Sequence, residues 1–331
     1  MSLTECLFSV TDGEKAMIFN MKIYGKALCG ETVCALGYFD GVHIGHRKLF
    51  ETLLSVAEGR QTVALTFDPH PMEFINRELA PKLINTAEQR VRKILSLGVD
   101  TVIMAKFDSY IANVPAEDFI KNFIVRTLNA KAVCVGFNFR FGNNRQGDVN
   151  LLRELETKYG YRAYIENAVI YKDLPVSSTR IRSILYEGHM TVAKNLLGDY
   201  FTLQGTVEKG RQVGRVMGFP TANISIAPNQ IMPAWGVYVT YAEIEGKRYF
   251  AGCNVGIKPT FGLNYVTCEA HFINKDNSRV FSDLYGKKIN LVFVKKIRDE
   301  IEFPNTEALI ERIKMDMKTV EEYSRTDKSE E

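Results

Sequence analysis

The first half of the chain alternates short predicted strands with stretches of helical periodicity. The strands lie at residues 32–36, 62–67, 101–105, 132–135 and 162–170. The helical segments between them lie at residues 43–54, 86–97, 116–128 and 149–159. The first of these segments is an apolar run, which is typical of a buried parallel strand. Strands that alternate with helices at this spacing predict a doubly wound parallel α/β sheet.

The second half changes to short segments in which apolar and polar residues alternate. They lie at residues 200–207, 236–241, 248–253, 266–273 and 289–294, and turn signals rather than helices separate them. This pattern predicts an antiparallel β-barrel or sandwich, on which a last helical segment at 306–323 packs. A stretch of short helices at 183–199 joins the two halves. We therefore expect two domains, at residues 1–186 and 187–331.

The composition is that of an ordinary globular chain. Its 331 residues are too many for one typical core, and 42 basic residues nearly balance 39 acidic ones, for a formal net charge of +3. This balance argues against a dedicated nucleic-acid binder, which normally carries a basic stripe. No run of about 18 apolar residues and no signal-like N-terminus occurs. We therefore expect a cytoplasmic protein.

The six cysteines are scattered along the chain without the close pairing of a zinc site. Cys34, Cys134 and Cys268 stand inside apolar runs. We therefore expect buried thiols rather than a structural metal centre.

The first predicted strand ends in a loop that carries glycines and two histidines. Gly37 breaks the apolar run, and the helical stretch begins at His43. The unpaired N–H groups and the positive dipole end of a helix start form an anion site. His43 and His46 lie on one side of the first turn, where they can donate hydrogen bonds to phosphate oxygens. Gly45 lets a flat group such as a nucleoside approach the backbone closely.

Two further loops follow predicted strands, and carboxyl-end loops form the ligand crevice of such sheets. In Asp68-Pro69-His70-Pro71 both prolines bar a regular helix, and His70 taken alone fits a loop histidine that caps backbone groups. The segment 136–148 fits either a turn with core aromatics such as Phe137 or an aromatic wall for a flat ring. In the second interpretation, Asn138 forms a hydrogen bond with the ligand.

A run of hydroxyl side chains precedes two arginines near the end of the first half. Ser177, Ser178 and Thr179 stand before a helical stretch, where hydroxyls commonly serve as an N-cap. Arg180 and Arg182 follow them, and the combination makes a better phosphate clamp than a cap requires.

The second half carries its own candidate site. Around Thr221 the plain interpretation is a barrel loop with a proline turn. However, Thr221 and Asn223 point the same way in extended chain, so a hydroxyl and an amide can hold Mg²⁺ together with substrate phosphates. Glu269 alternates with apolar neighbours in a predicted strand, and its carboxylate must face either solvent or the barrel mouth.

These motifs resemble those of a known family. His-Ile-Gly-His resembles the HxGH motif of the nucleotidylyltransferase superfamily, which several transferases share. The longer form G-Y-F-D-G-V-H-I-G-H resembles the prokaryotic FAD synthetases, the bifunctional riboflavin kinase/FMN adenylyltransferases. Further family blocks are similar to T-F-D-P-H-P, G-F-N-F-R-F-G, V-S-S-T-R-I-R, G-F-P-T-A-N-I and N-V-G-I-K-P-T-F-G in this chain.

The resemblance implies a nucleotidylyltransferase-like sheet domain followed by a riboflavin kinase-like barrel with a C-terminal helix. It implies that ATP phosphorylates riboflavin to FMN, and that a second ATP adenylylates FMN to FAD with release of pyrophosphate. The implied partners are riboflavin, FMN, ATP and Mg²⁺, with neither nucleic acid nor a membrane. A weak homo-oligomer is left open.

The resemblance also assigns roles to single residues. The implied catalytic residues are Glu269, His43, His46 and Asn138. The implied contacts to ATP and its phosphates are Gly37, Phe39, Asp40, Gly45, Ser178, Thr179, Arg182, Gly218, Thr221 and Asn223. Of these, Thr221 and Asn223 also hold Mg²⁺. The implied flavin contacts are His70, Phe139 and Arg298.

One segment departs from the family pattern, because residues 274–282 make the loop before Asp283 several residues longer than expected. Three alternatives therefore stay open. The chain could be a monofunctional FMN adenylyltransferase with an impaired kinase domain, or a transferase for another phosphorylated substrate such as pantetheine phosphate, or a non-catalytic flavin-binding regulator. The intact G-F-P-T-A-N block argues against the second. The two histidines, the phosphate clamp and Glu269 argue against the third.

Overall fold

The computed structural model describes residues 3–12, 15–208, 219–244, 247–260, 263–273 and 284–326. The chain divides into two units by its internal contacts. The sheet unit comprises residues 1–81 and 87–177, and the barrel unit comprises residues 82–86 and 178–331. The domain bounds expected from the sequence stay predictions.

A seven-stranded sheet forms the centre of the sheet unit. Its strands are β1 Leu3–Asp12, β2 Lys15–Gly25, β3 Thr32–Leu36, β4 Gln61–Asp68, β5 Thr101–Lys106, β6 Ala130–Gly136 and β7 Arg162–Glu166. Their spatial order is β1-β2-β5-β4-β3-β6-β7. The run from β5 to β7 in this order pairs in parallel throughout. The predicted parallel sheet is confirmed. A small separate ladder joins β8 Ile170–Tyr171 to β9 Leu174–Pro175.

An N-terminal hairpin extends this sheet at one edge, and the sequence analysis missed it. β1 and β2 pair antiparallel, and β2 pairs antiparallel with β5, with Ile23 opposite Ile103. The sequence of β1, LTECLFSVTD, mixes apolar, hydroxyl and charged residues without strict alternation. Periodicity therefore gives no clear strand signal there.

Helices cover both faces of the sheet. They are α1 Ile44–Ser55, α2 Pro71–Ile75, α3 Ala87–Ser96, α4 Ser109–Ala112, α5 Ala116–Phe119, a π-helix Ile120–Thr127, α6 Val149–Glu154 and α7 Glu156–Tyr159. Ala35 of β3 belongs to a core with Leu53 of α1 and Val91 of α3, whereas its neighbour Cys34 belongs to a second core with Phe123. This double coverage is the reason that β3 is buried at every position and apolar after Thr32.

The helix α2 corrects one local expectation. The prolines after β4 were expected to bar a regular helix from this loop, but α2 begins at Pro71. Proline is accepted at the first position of a helix because its missing N–H would have no intrahelical partner there.

Within the residues described, the barrel unit consists of a closed barrel of six antiparallel strands with three helices. The strands are β10 Phe201–Glu208, β11 Ala222–Ile226, β12 Gly236–Ile244, β13 Lys247–Thr260, β14 Leu263–Phe272 and β15 Lys288–Arg298, in the order β10-β11-β14-β13-β12-β15. The helices are α8 Ser178–Tyr186, α9 Met190–Leu197 and α10 Thr306–Thr326. Side chains such as Leu203, Ala270 and Leu291 fill the interior and are fully buried. The predicted barrel and C-terminal helix are confirmed.

The helix α10 packs on the outer face of β12 and β13. Its Met317 and Val320 share a core with Val239 and Phe250. Gly252 allows this close approach, because a β-carbon there would stand 2.8 Å from the Met317 sulfur.

Two expectations from composition can also be compared with the structure. Cys34, Cys134, Cys253 and Cys268 are buried thiols without a disulfide, as expected for the three that were singled out. Among the residues described, no helix combines the length and apolar character needed to cross a membrane.

A buried ion pair joins α10 to the last strand of the barrel. The Nε and Nη2 atoms of Arg298 each lie 2.9 Å from Oδ2 of Asp316, and Nε of Arg312 lies 3.2 Å from its Oδ1. Asp316 is only 4% exposed. The carboxylate therefore fixes the end of β15 against the helix.

We expect Asp316→Ala to lower the free energy of unfolding of the barrel unit by about 3 kcal/mol, because it leaves a largely buried guanidinium without its partner. Urea denaturation of the full chain, followed through the single tryptophan, Trp235 of the barrel unit, measures this change. The matched control is Asp299→Ala, whose side chain is 83% exposed in its pair with Lys296 and should matter little. A loss no larger than that of the control contradicts the anchoring role.

Candidate active sites

The parallel part of the sheet reverses its strand order at β3. From this strand β4 and β5 extend to one side, and β6 and β7 extend to the other. Ligands of open α/β sheets bind outside the carboxyl ends of the strands at such a point. The loops after β3 and β6 therefore flank one crevice, and the loop after β4 lies next to it. The fold brings together three of the predicted loops.

His43 is the N-cap residue of α1. Its Nδ1 accepts a hydrogen bond from the backbone N–H of His46 at 3.3 Å. An accepting Nδ1 carries no proton, so the ring is neutral and its proton lies on Nε2. The two imidazole rings stack with their centroids 3.6 Å apart and an interplanar angle of 15°. The spacing of the histidines thus produces a paired group on the first turn of the helix.

His46 lies in a more apolar place than its partner. Its Nδ1 is buried and has no hydrogen-bond partner among the described residues. Its ring and the Phe39 ring form a T-shaped contact, with their centroids 5.4 Å apart. Burial lowers the pKa of His46 well below its usual value, and electrostatic interactions with His43 and Arg90 act in the same direction. His46 is therefore a neutral imidazole.

The side chain of Phe39 is buried inside the loop that precedes the histidines. This residue has a φ of +58° and its ring is 2% exposed, packed against Phe50 at 4.9 Å. A β-carbon on Gly37 would stand 2.6 Å from the Phe39 ring, and the Gly37 N–H already donates to the Leu65 carbonyl. Asp40 is buried as well. The contacts of these residues with ATP stay predictions.

His70 in the loop after β4 caps α2. Its Nδ1 accepts a hydrogen bond from the Met72 N–H at 3.0 Å, which is the role that the residue type alone suggests. Its ring also meets the Tyr38 ring edge-on at 4.2 Å. This contact links the second loop to the first, and a contact with a flavin stays a prediction.

The loop after β6 carries one aromatic residue that the sequence analysis undervalued. Phe139 is half-buried and stacks on the buried Phe141 at 5.5 Å, whereas Phe137 is 49% exposed. Phe137, Phe139 and Phe141 are two residues apart, as on one face of a strand. However, the Phe139 N–H donates to the Gly136 carbonyl, and this turn separates Phe137 from the other two rings. Asn138 is exposed at this turn. Phe137, rather than a core aromatic, is an open ring beside the crevice.

The predicted phosphate clamp belongs to the barrel unit by its contacts. The helix α8 begins at Ser178, and Thr179 in its first turn is exposed. The Nε of Arg182 donates to the Lys82 carbonyl at 2.7 Å. The clamp thus starts a helix, as the capping interpretation expects, and its phosphate contacts stay predictions.

The barrel strands place several polar residues in one row. Asn223 of β11 lies opposite Glu269 of β14, which lies opposite Asn254 of β13. The row continues through Val237 of β12 to Arg298 of β15. Four antiparallel pairings thus join the predicted base, one predicted metal ligand and the predicted flavin contact. Asn254 was not among the predicted site residues, because the register that places it here cannot be inferred from one segment.

Glu269 projects from the outer face of the barrel wall. Its neighbours Cys268 and Ala270 are buried in the interior, and side chains alternate along a strand. Glu269 and His271 therefore share the outer face, where both are half-buried. The outer wall, rather than the barrel mouth, is where the row of polar residues lies.

His271 orders the segment that leads into β11. Its Nδ1 donates to the Pro220 carbonyl at 2.7 Å, and its ring packs edge-on against Phe219 at 5.5 Å. Burial lowers the pKa of His271, so the ring is neutral and keeps the proton that this bond requires. This contact holds the residues that immediately precede Thr221.

The donor set of this region fits a magnesium ion, which prefers oxygen ligands. The side chains of Thr221, Asn223 and Glu269 all offer oxygen atoms, and the last two lie on directly paired residues. Gly218 and residues 274–282, the lengthened loop, lie outside the described residues.

A cleft of about 990 Å³ opens in the barrel unit near the end of this row. Its walls include the half-exposed rings of Tyr186 and Trp235, together with Lys296 and Glu300. This volume lies within the range of small-molecule sites, about 300–1,000 Å³.

Comparison with known proteins follows the same division of the chain. Residues 26–180 match the FAD synthetase family, and residues 197–324 match the riboflavin kinase family. A bifunctional riboflavin kinase/FMN adenylyltransferase of Buchnera aphidicola is 35% identical over 90% of this chain and 96% of its own length. The chain belongs to the bifunctional riboflavin kinase/FMN adenylyltransferase family.

Other members of this family show the same relation. The Escherichia coli K12 protein is 34% identical and the Bacillus subtilis protein 33% identical, each over 88% of this chain and 92% of its own length. A solved structure from Streptococcus pneumoniae, described as a macrolide-efflux protein, has a TM-score of 0.77 and 29% identity, and the match covers 89% of this chain and 95% of that one. The match with this solved structure thus includes residues of both units.

The electrostatics of the histidine pair give a testable expectation. Because burial and its interactions with His43 and Arg90 oppose its protonation, we expect the midpoint of His46 to lie well below the ordinary value of about 6.5. Heteronuclear NMR of the five histidines during a pH titration measures it, with His46→Asn assigning the resonance. A midpoint at or above the ordinary value contradicts the buried, neutral ring.

Proposed function

We propose that this chain makes FAD from riboflavin in two ATP-dependent steps, one in each unit. The observation that supports this most strongly is that each unit has its own cluster of polar groups of the kinds that phosphate transfer uses. The sheet unit has the stacked histidines at the helix start. The barrel unit has Glu269 paired with Asn223 on the outer wall. A protein that only binds flavin needs neither set.

The first step is phosphorylation of riboflavin in the barrel unit. The ribityl 5′-hydroxyl attacks the γ-phosphate of ATP, its proton passes to the Glu269 carboxylate, and ADP leaves. Such a transfer needs chiefly positioning and charge stabilisation, and a half-buried carboxylate on a rigid strand meets the first need. Arg298, at the far end of the same row, contacts the flavin in this proposal.

Thr221 and Asn223 would hold Mg²⁺ together with the phosphates of ATP. When bound, the ion neutralises charge on the phosphate oxygens. The His271 bond to the Pro220 carbonyl keeps the preceding segment in place, so that the two side chains keep a common direction.

The second step is adenylylation of FMN in the sheet unit. A phosphate oxygen of FMN attacks the α-phosphate of ATP, the bond between the α- and β-phosphates breaks, and pyrophosphate leaves. The step forms no covalent enzyme intermediate, so catalysis depends on alignment and on donors aimed at the growing negative charge. His43 through its Nε2–H, His46 and Asn138 supply these donors. The resemblance to the family also assigns phosphate contacts to Ser178, Thr179 and Arg182, which belong to the barrel unit. His70, Phe139 and the open ring of Phe137 flank the flavin.

The completeness of the polar row argues against an impaired kinase half. The strand pairing aligns Asn223, Glu269 and Arg298 in one cross-strand row. Asp316 holds Arg298 in place through an ion pair. The alternative of a monofunctional FMN adenylyltransferase therefore has no observation in its favour among the described residues.

A product analysis with Glu269→Gln tests the division of labour. Purified protein is incubated with ATP and Mg²⁺ and either riboflavin or FMN, and the flavins are separated by chromatography. Wild type should form FAD from both. The variant, which keeps the shape but loses the base, should lose about 100-fold or more in riboflavin phosphorylation and keep FMN adenylylation. Failure of wild type to use riboflavin supports the monofunctional alternative, and failure with both substrates contradicts the proposal.

A second prediction concerns Gly45, which lies between the two histidines. A β-carbon there would stand 3.1 Å from Cε1 and Nδ1 of His43 and would press on its ring. Alanine otherwise favours a helix over glycine by about 0.5–1 kcal/mol. We therefore expect Gly45→Ala to lower FMN adenylylation about tenfold without lowering the thermal midpoint. Unchanged adenylylation would show that the ring can move without consequence.

A further inference from the structure

A fully buried arginine lies beneath the loops of the sheet-unit site. Arg90 of α3 is 0% exposed. Its Nη2 donates to the Phe67 carbonyl at 2.7 Å, near the end of β4, and lies 3.4 Å from the Met104 sulfur of β5. Its guanidinium stands 4.1 Å from the centre of the Tyr38 ring, in the loop after β3. One side chain thus contacts three adjacent strands or their loops.

The charge of Arg90 has no counterpart in the part of the chain that the structure describes. Among the residues that the structure describes, neither Nε nor Nη1 finds a hydrogen-bond partner, and no carboxylate forms an ion pair with it. The charges of Asp40 and Asp68 act on the neighbouring Tyr38. A buried charge without a partner is strongly unfavourable, so a ligand of opposite charge is the expected reason for keeping it.

The contacts of Arg90 lead directly to the site. Its guanidinium covers one side of the Tyr38 ring, and His70 meets the same ring edge-on at 4.2 Å. The Tyr38 carbonyl accepts a hydrogen bond from the Thr66 hydroxyl at 2.9 Å, which fixes the backbone of the loop to β4. The charge also acts on His46, whose pKa it lowers. The Tyr38 ring therefore has a fixed place between the second loop and the buried charge.

We propose that Arg90 is a positioning residue for adenylyl transfer, which fixes Tyr38 between itself and His70 and supplies the buried positive charge against which the anionic phosphates of the substrates bind. This rests on the proposed function of the sheet unit. The residue acts through Tyr38 and through its electric field, because its own atoms are covered.

Arg90→Met separates this role from a structural one, because a methionine fills similar volume without the charge. Replacing an uncompensated buried charge with an apolar side chain is commonly neutral or stabilising. We therefore expect the thermal midpoint of the ligand-free full chain, measured by calorimetry, to stay unchanged or to rise. In the same preparation kcat/KM for FMN adenylylation should fall about 100-fold, as on loss of one preorganised electrostatic group. Riboflavin phosphorylation should not change.

Two further variants make the comparison specific. Arg90→Lys keeps the charge and should retain more adenylylation than Arg90→Met. Arg92→Met removes an exposed arginine two residues along the same helix, paired with Glu88, and should change neither the midpoint nor either activity.

The outcomes distinguish this inference from the function on which it rests. Unchanged adenylylation in Arg90→Met, or a loss accompanied by a lowered midpoint and no rescue by lysine, overturns the positioning role. If wild type makes no FAD from FMN, the proposed function itself fails. The calorimetric comparison then still decides whether the Arg90 charge is uncompensated, since a clear drop of the midpoint shows a structural residue.

Discussion

The hydrogen bond from the His46 amide to the His43 ring is the contact on which the sheet-unit site depends. It satisfies one of the N–H groups that a helix start leaves unpaired, and it places the His43 proton on Nε2. The same contact brings the two rings into a stack, for which Gly45 leaves the space. The buried ring of Phe39 supports the stack from below. This one hydrogen bond thus caps α1, sets the protonated nitrogen of His43 and positions its ring.

In the barrel unit, strand pairing rather than a helix cap positions the candidate site residues. Its polar residues belong to separate strands, and antiparallel register alone sets Asn223 beside Glu269 and continues the row to Arg298. Because this row lies on the outer face, mainly apolar side chains such as Leu203, Ala270 and Leu291 fill the barrel interior. Because Asp316 fixes the end of β15 to α10, the helix contributes to the order of the row as well as to the core.

Much of this arrangement could be predicted from the sequence, for physical reasons that also explain the failures. Strands buried on both faces are mostly apolar, so the sequence predicted the parallel strands. Because parallel strands share an edge at their carboxyl ends, it also predicted that their loops meet. The β1–β2 hairpin lacks such a pattern and was missed. Arg90 stands in the charged stretch E-Q-R-V-R-K, where periodicity does not distinguish a buried arginine from exposed ones. Asn254 and the exposed ring of Phe137 depend on register and on one turn, which a single segment does not encode.

The central claim is that the phosphates of ATP bind at the histidine pair of the sheet unit. A crystal structure of the full chain with FMN and α,β-methylene-ATP, whose α–β linkage cannot be cleaved, tests it most directly. The account predicts an α-phosphate oxygen within about 3.2 Å of Nε2 of His43, with Nδ1 of that ring still bonded to the His46 amide. A nucleotide bound in the sheet unit whose phosphates touch neither histidine would contradict it.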